Sequence, residues 1–327
     1  MKLTVLLTAL LLSATSACAA ATKIKVLIID GQNNHQWATT TPLLRHILEA
    51  SYLFTVDVTT TPPKPIAPRL IKDATPAQKT AYDEALQAFT LAEPARIAAA
   101  PALWAKWRPR FTDYAVVISN YNGESWPEEV RTAFVAYVKN GGGFVSYHAA
   151  DNAFPEWPEY NDMIGLGGWG DRNEKSGPYL RLRDGAWAPL AAPGPGGGHG
   201  PQREFLVTTS TADHPITRGL PASWMHSKDE LYHQLRGPAK NLTVLGSGVS
   251  DITHEAEPLL LALSYGQGRV FHTALGHYVE ALDGLGFQVT FLRGTEWAAT
   301  GRVTQSAPAA NALTATPPAA VRPLKLN

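Results

Sequence analysis

The sequence predicts an α/β fold built on a parallel sheet, and three observations carry that expectation. Continuous apolar runs at Ile24 to Asp30, Tyr114 to Ser119 and Phe144 to His148 have the length and composition of strands buried on both faces. Segments of helical spacing lie between them, with Leu44, Ile47 and Leu48 on one stripe and Val130, Phe134, Tyr137 and Val138 on another. The resulting order, β-α-β-insert-β-α-β, argues for a right-handed α/β sheet.

The elements follow in chain order. Residues 1–21 read as an export signal: Lys2 gives the positive start, Leu3 to Leu12 the apolar run, and Ser13 to Ala21 a small-residue cleavage region. That run is too short to span a bilayer, which needs about 20 apolar residues. Cys18 follows Thr15-Ser16-Ala17 in an imperfect lipoprotein pattern, and plain cleavage near Ala19 or Ala21 is the favoured alternative. The expected location is therefore the periplasm, with or without a lipid on Cys18. After the first strand comes a polar loop, Asn33 to Trp37, and Thr41-Pro42 suits a helix N-cap with Pro at the first helical position. Phe54 to Val58 is a second strand. Residues 61–110, rich in Pro and Ala, read as an insertion with helical stretches near Ala77 to Ala92 and Ala95 to Trp107.

Beyond the third strand, Ser125-x-x-Glu128 has the form of a capping box opening a helix that Gly141 ends. Pro155 to Gly200, crowded with Gly, Pro and Trp and without clear periodicity, reads as a surface excursion. Short strands are expected at Glu204 to Thr208, Leu242 to Gly246, Leu259 to Ser264 and Arg269 to Thr273, then a helix from about Leu285 to Thr300. The Ala, Pro and Thr that follow cannot bury enough apolar area to order themselves. The expected partition is thus a signal over 1–21, one α/β domain over 22–302 and a disordered tail over 303–327.

Composition narrows the function. Lys+Arg and Asp+Glu number 28 each, so the chain lacks the basic field that nucleic acid or an anionic membrane surface requires. Cys18 is the only cysteine and falls in the export signal, which leaves the domain without a disulfide, a thiol nucleophile or a thiolate-bound metal.

Ligands of open α/β sheets bind beyond the carboxyl ends of the strands. Those ends carry Asp30 with His35, Asn120 to Glu124, His148 with Asp151, and His272 with His277. Gly141 to Asp151 (GGGFVSYHAAD) has the pattern of a tight strand-to-helix elbow, which exposes the residue at its apex, here His148 or Ala149. His148 is then a site residue or a strand-capping imidazole. His272 is a site residue or a satisfied core histidine, while His277 beside Gly276 faces a ligand more readily. Asp229-Glu230 offers a general acid or base, or a surface charge before a turn. No HExxH occurs, so a metal would need distant residues such as His148, His272, His277, Asp151 or Glu230. Trp37, Trp126, Trp157, Trp169, Trp187 and Trp224 fall in loops or at helix starts, and flat rings with a polar edge suit a sugar.

These motifs resemble the trehalose-utilisation (ThuA-like) family, within the superfamily of class I glutamine amidotransferase-like folds. The match runs from Lys25 to about Val303 through YNGESWPEEV, YVKNGGGFVSYHAADNAFPEWPEYNDMIGLGGWG, HPITRGLP, DELYHQL, GRVFHTALGH and RGTEWAATG. The resemblance implies a flavodoxin-like three-layer sandwich with a mainly parallel sheet, lacking the amidotransferase thiol. It implies action on disaccharides or their 3-keto derivatives by acid–base chemistry, with a divalent metal allowed and no nucleotide or flavin expected. His148, His272, His277, Asp229 and Glu230 are then the catalytic candidates, and His35, Trp37, Asn120, Glu124, Asp151 and Trp169 the substrate-binding ones. A non-catalytic carbohydrate-binding or scaffold role is the alternative, with residual amide hydrolysis a distant third.

Overall fold

Ile24–Asp30 forms β1, buried from Val26 to Asp30 because parallel strands flank both its edges. These are β2 (Phe54–Thr60) and β3 (Val116–Ser119), and β4 (Gly143–Tyr147) and β13 (Gly268–Thr273) continue the parallel run. The computed structural model describes residues 22–309 and 311–325, and the expected export signal lies outside them. Four further strands extend the sheet with alternating direction: β12 (Ala256–Tyr265), β11 (Leu242–Val249), β8 (Arg203–Thr209) and β9 (Ser223–Asp229). Among the described residues the order is β2-β1-β3-β4-β13-β12-β11-β8-β9, a mixed sheet rather than a mainly parallel one. Each pair of reversals restores the original direction. The carboxyl end of β9 therefore reaches the same edge as those of β1, β3, β4 and β13.

Helices cover both faces. α1 (Trp37–Ala50), α5 (Val279–Leu282) and α6 (Leu285–Thr300) pack together against β1, β4, β9 and β13. α3 (Glu128–Lys139) and α4 (Pro158–Ile164) lie against β13, with the Phe134 and Trp157 rings in contact between them. Two predicted helix starts differ. α1 begins at Trp37, so Pro42 lies inside it and Thr41 is a buried helical residue instead of a cap. α3 begins at Glu128 after an N-cap at Pro127 that makes no side-chain hydrogen bond, so the Ser125 capping box does not form.

The segment read as a surface excursion contributes to the core. Tyr160, Met163, Ile164 and Leu166 are fully buried, and its outer part is a small hairpin, β5 (Tyr179–Arg183) with β6 (Ala186–Leu190). Two short strands, β7 (Gly198–His199) and β10 (Tyr232–His233), pair over the sheet edge. The insertion holds one helix, α2 (Pro76–Lys106), with 31 residues, a Thr75/Gln78 capping box, Pro94 and Pro101 inside it, and no fully buried side chain. Its half-buried positions, among them Tyr82, Leu86, Phe89, Arg96 and Trp104, recur at helical spacing and mark the face turned to the domain.

The tail is held against the domain instead of hanging free. Leu313 and Ala319 are buried. The backbone N–H of Leu285 donates to Ala320 O at 2.9 Å, that of Met225 to Thr314 O at 2.6 Å, and the Asp283 carboxylate accepts from Leu324 N–H at 2.8 Å. Composition underestimates this segment because its order comes from backbone pairing with β9 and the start of α6, together with the apolar anchor Leu313.

Candidate functional site

At the end of β4 the chain turns sharply into a short 3-10 turn, His148–Asn152, and His148 sits at the apex with φ of +44°. A left-handed backbone is costly for a residue with a β-carbon, and such strain persists where surrounding contacts enforce it. Here the ring is buried and anchored: Nδ1 lies 2.8 Å from Ala274 O, which can only accept, so Nδ1 carries the proton. Nε2 is left with a lone pair and takes the Tyr232 hydroxyl at 2.9 Å.

His277 comes from the loop after β13. Gly276, with φ of +113°, makes the turn, and a β-carbon there would strike the Tyr147 ring, whose hydroxyl donates to Gly276 O. The Asp229 carboxylate, buried at the end of β9, grips this loop. It accepts from Gly276 N–H at 2.7 Å, His277 N–H at 3.0 Å, Glu230 N–H at 2.8 Å and His226 Nε2 at 2.8 Å. With its lone pairs committed, Asp229 is a positioning residue and not the acid or base that its place before a strand suggests. Glu230 follows it and turns toward His277: Oε2 is 3.0 Å from His277 Nδ1, which is 3.3 Å from His148 Nε2.

His35 closes the group from the loop after β1. Its Nδ1 is 3.1 Å from Asn33 Oδ1, and its ring centroid lies 4.8 Å from that of His148 and 4.6 Å from that of His277. One ligand-capable atom from each of His35, His148, Glu230 and His277 falls within 4.8 Å of the others. The cluster borders a cavity of about 480 Å³ whose walls include Asn34, Asn122, Asn152, Trp169 and His199.

Burial sets the protonation states. It lowers the His35 pKa to about 4, reinforced by the nearby charge of His277, and holds His148 well below the usual imidazole range. Burial also drives the Tyr232 phenol well above 10, with Asp151 and Glu230 adding to it, so the hydroxyl stays protonated. For Glu230 burial acts upward, yet the hydrogen bond and charge of His277, with His199, hold it below the ordinary carboxylate value.

Other predicted residues are placed elsewhere. His272 lies within β13, fully buried, with Nδ1 on Ile164 O at 2.9 Å and Nε2 on the Asp151 carboxylate at 3.2 Å. Both ring nitrogens are thus satisfied within the core, while the second carboxylate oxygen, Asp151 Oδ1, is buried without a partner. Asn120 braces the first loop, bonding Thr40 and Thr41 at 3.0 Å each and accepting from Asn33 at 3.2 Å. Glu124 is held by the insertion, with Arg96 at 3.2 Å, Trp104 at 3.4 Å and Lys64 at 3.6 Å. Trp37 opens α1, half-buried. Of the loop tryptophans, Trp126, Trp157 and Trp224 are core residues, and Trp187 lies on the outer hairpin; Trp169 does line the cavity, 4.7 Å from the Tyr232 ring.

Sequence reasoning passed over Tyr232 and His199. A signal for Tyr232 exists: in an extended stretch, Glu230 and Tyr232 two residues apart share a face. His199 has no such signal, because the pairing of β7 with β10 brings its Nδ1 to 3.6 Å from Glu230 Oε1.

Fold and site together define an α/β protein whose polar cluster gathers at the carboxyl edge of its sheet. The chain belongs to the ThuA family, described as trehalose utilisation, whose profile matches residues 96–298. A ThuA-like protein of Parabacteroides merdae is 39% identical, with a TM-score of 0.75, covering 92% of this chain and 98% of its own. One from Bacteroides uniformis, 19% identical with a TM-score of 0.52, covers 88% of this chain and 96% of its own and shares the fold. No curated protein matches the sequence. Among the described residues no helix is long and apolar enough to cross a membrane.

Proposed function

We propose that this protein is an exported carbohydrate-processing enzyme that acts on 3-keto disaccharides, or on the parent disaccharides, by acid–base chemistry. The observation that carries the reading is the convergence of His35, His148, His277 and Glu230 beside a cavity with polar walls and one aromatic face, Trp169. Family membership supports a carbohydrate substrate. We further propose a flavodoxin-like core of the class I glutamine amidotransferase type, with His148 at the elbow. An imidazole there cannot form the thioester of a glutaminase.

The choice of reaction rests on the carboxylates. Glycoside hydrolysis ordinarily uses two, about 5–10 Å apart and both open to the sugar. Here Glu230 lines the cavity, Asp229 is consumed by four hydrogen bonds and Asp151 is sealed with His272. One carboxylate among imidazoles suits proton removal next to a carbonyl instead. In a 3-keto glycoside the carbonyl acidifies the hydrogen on C2. His148 Nε2, neutral because it is buried, accepts that proton; the C–H electron pair becomes a C1–C2 double bond; the C1–O bond breaks, and the departing oxygen takes a proton from the His277–Glu230 pair. The protonated Tyr232 hydroxyl gives up its bond to His148 Nε2 and donates to the ketone oxygen instead, which frees that lone pair for the C2 proton.

Incubation of the purified protein with trehalose and 3-keto-trehalose in deuterated buffer, followed by NMR, tests this. The expected result is consumption of the keto sugar, while the parent, which has no carbonyl to acidify C2, is not consumed. Saturable binding with no turnover of either sugar would replace the enzyme by a non-catalytic carbohydrate-binding protein.

A further inference from the structure

The cluster presents more lone pairs than protons, and that imbalance is a cation's environment. The Nδ1–H groups of His148 and His35 are directed at carbonyl oxygens, Ala274 O at 2.8 Å and Asn33 Oδ1 at 3.1 Å, which leaves both Nε2 atoms as acceptors. Glu230 adds a carboxylate. The protons available to them are the Tyr232 hydroxyl, at 2.9 Å from His148 Nε2, and a single proton on His277 Nδ1.

We infer that His35, His148, His277 and Glu230 form a mononuclear centre for a divalent first-row metal, with Zn²⁺ the best match to three imidazoles and one carboxylate. The inference rests on the site of the proposed function and changes one role there: a lone pair that His148 Nε2 gives to a metal cannot also take the C2 proton, so in the metal-loaded protein the base is another group of the cavity wall, such as His199. Distances agree with it. Zinc–ligand bonds of about 2.1 Å in a tetrahedron place neighbouring ligand atoms about 3.4 Å apart. Two of the separations match this, 3.3 Å for His148 Nε2 to His277 Nδ1 and 3.0 Å for His277 Nδ1 to Glu230 Oε2; all four ligand atoms lie within 4.8 Å of one another, so the wider pairs close on the ion when it binds.

The supporting shell also fits. A ligating histidine is held in its tautomer when the other ring nitrogen donates to a carbonyl or carboxylate, as His148 and His35 do. Asp229 binds the backbone N–H of both Glu230 and His277, and so fixes two ligands from different strand ends with one carboxylate. His35 and His277 are half-buried whereas His148 and Glu230 are buried. The centre is thus closed beneath and accessible from the cavity, the arrangement of a site that meets a ligand. Soft thiolate metals are excluded by the donor set.

The test uses the mature full chain. After treatment with EDTA and desalting, the protein is titrated with ZnCl2 by calorimetry, metal content is measured by mass spectrometry after gel filtration, and a Co²⁺-loaded sample is examined for visible ligand-field bands. One metal per chain and a low-coordinate cobalt spectrum are expected. His148→Ala, His277→Ala and Glu230→Gln should each weaken Zn²⁺ binding at least 100-fold, while His214→Gln, remote from the cluster, leaves it unchanged; near-ultraviolet circular dichroism confirms that each variant is folded. Sub-stoichiometric binding, or stoichiometric binding that these substitutions do not alter, would overturn the centre. The two readings fail separately. Turnover of a 3-keto glycoside that survives EDTA, with no cobalt spectrum, removes the metal and keeps the enzyme. A stoichiometric metal with no turnover keeps the centre and counts against the substrate.

Discussion

Two histidine–carboxylate sites, whose histidines are near neighbours in sequence, differ in almost every physical respect. His272 with Asp151 lies within the sheet layer: His272 is in register with Ser146 of β4 and Leu261 of β12, and both partners are buried. His277 with Glu230 lies past the strand ends, part-exposed to a cavity and in contact with two further imidazoles. In the first pair each histidine nitrogen has a protein partner, and the one unpartnered atom, Asp151 Oδ1, is fully buried where no ligand reaches it. In the second the lone pairs outnumber the hydrogens. A histidine beside an acid becomes a reactive site when a neighbour is missing and a ligand can reach the gap, not because of its residue type.

Three experiments sharpen this contrast. His148→Ala removes the proposed base from the open cluster and should lower kcat on the keto substrate by about 10²–10⁴ while the chain stays folded; wild-type rates in the variant would collapse the distinction between the sites. His272→Ala leaves the Asp151 carboxyl buried without its partner and should cost about 3 kcal/mol of stability, read from urea unfolding, with activity per folded molecule unchanged. A selective loss of kcat instead would place His272 in the chemistry. The smallest effect concerns pH. Burial raises Asp151 above its ordinary 3.8. Between that value and the raised one, the folded chain keeps a proton that the unfolded chain releases, so this residue's contribution to stability falls as pH rises through the window. Asp151→Asn should remove that slope when urea midpoints at successive pH values are compared with the parent. An unchanged slope would mean that Asp151 titrates as if exposed.

Parts of this contrast were legible in advance. His148 and His277 could be singled out because each follows a recognisable strand end or elbow, His35 because it follows β1, and Glu230 as one of two acids ahead of a short alternating stretch. His272 could not be sorted from them. Its alternation with Val270 and Ala274 along β13 fits a core face and a site equally well, and α4, whose Ile164 carbonyl takes its Nδ1 proton, comes from a segment without readable periodicity. Tryptophans in loops misled for a related reason. Trp126 and Trp157 lie near chain turns, yet they pack on Phe134 and Phe154 in the core, since a loop residue is exposed only if nothing folds over it. The capping pattern at Ser125 failed because Pro127 took the N-cap position with its own fixed backbone.

Local order is where the chain itself was decisive. Apolar runs too long and too even to be half-exposed specify buried strands, helical stripes specify the elements between them, and the absence of a thiol after residue 18 rules out thiol chemistry in the domain. These depend on neighbours within a few residues. Which imidazoles meet was decided by tertiary structure alone: β9, read from the sequence as no strand at all, runs back to the edge where β1, β4 and β13 end, and Asp229 at its tip gathers Glu230 and His277 opposite His148. Residues 35, 148, 230 and 277 come together because of strand order and direction, and those are set by the packing of the whole sheet.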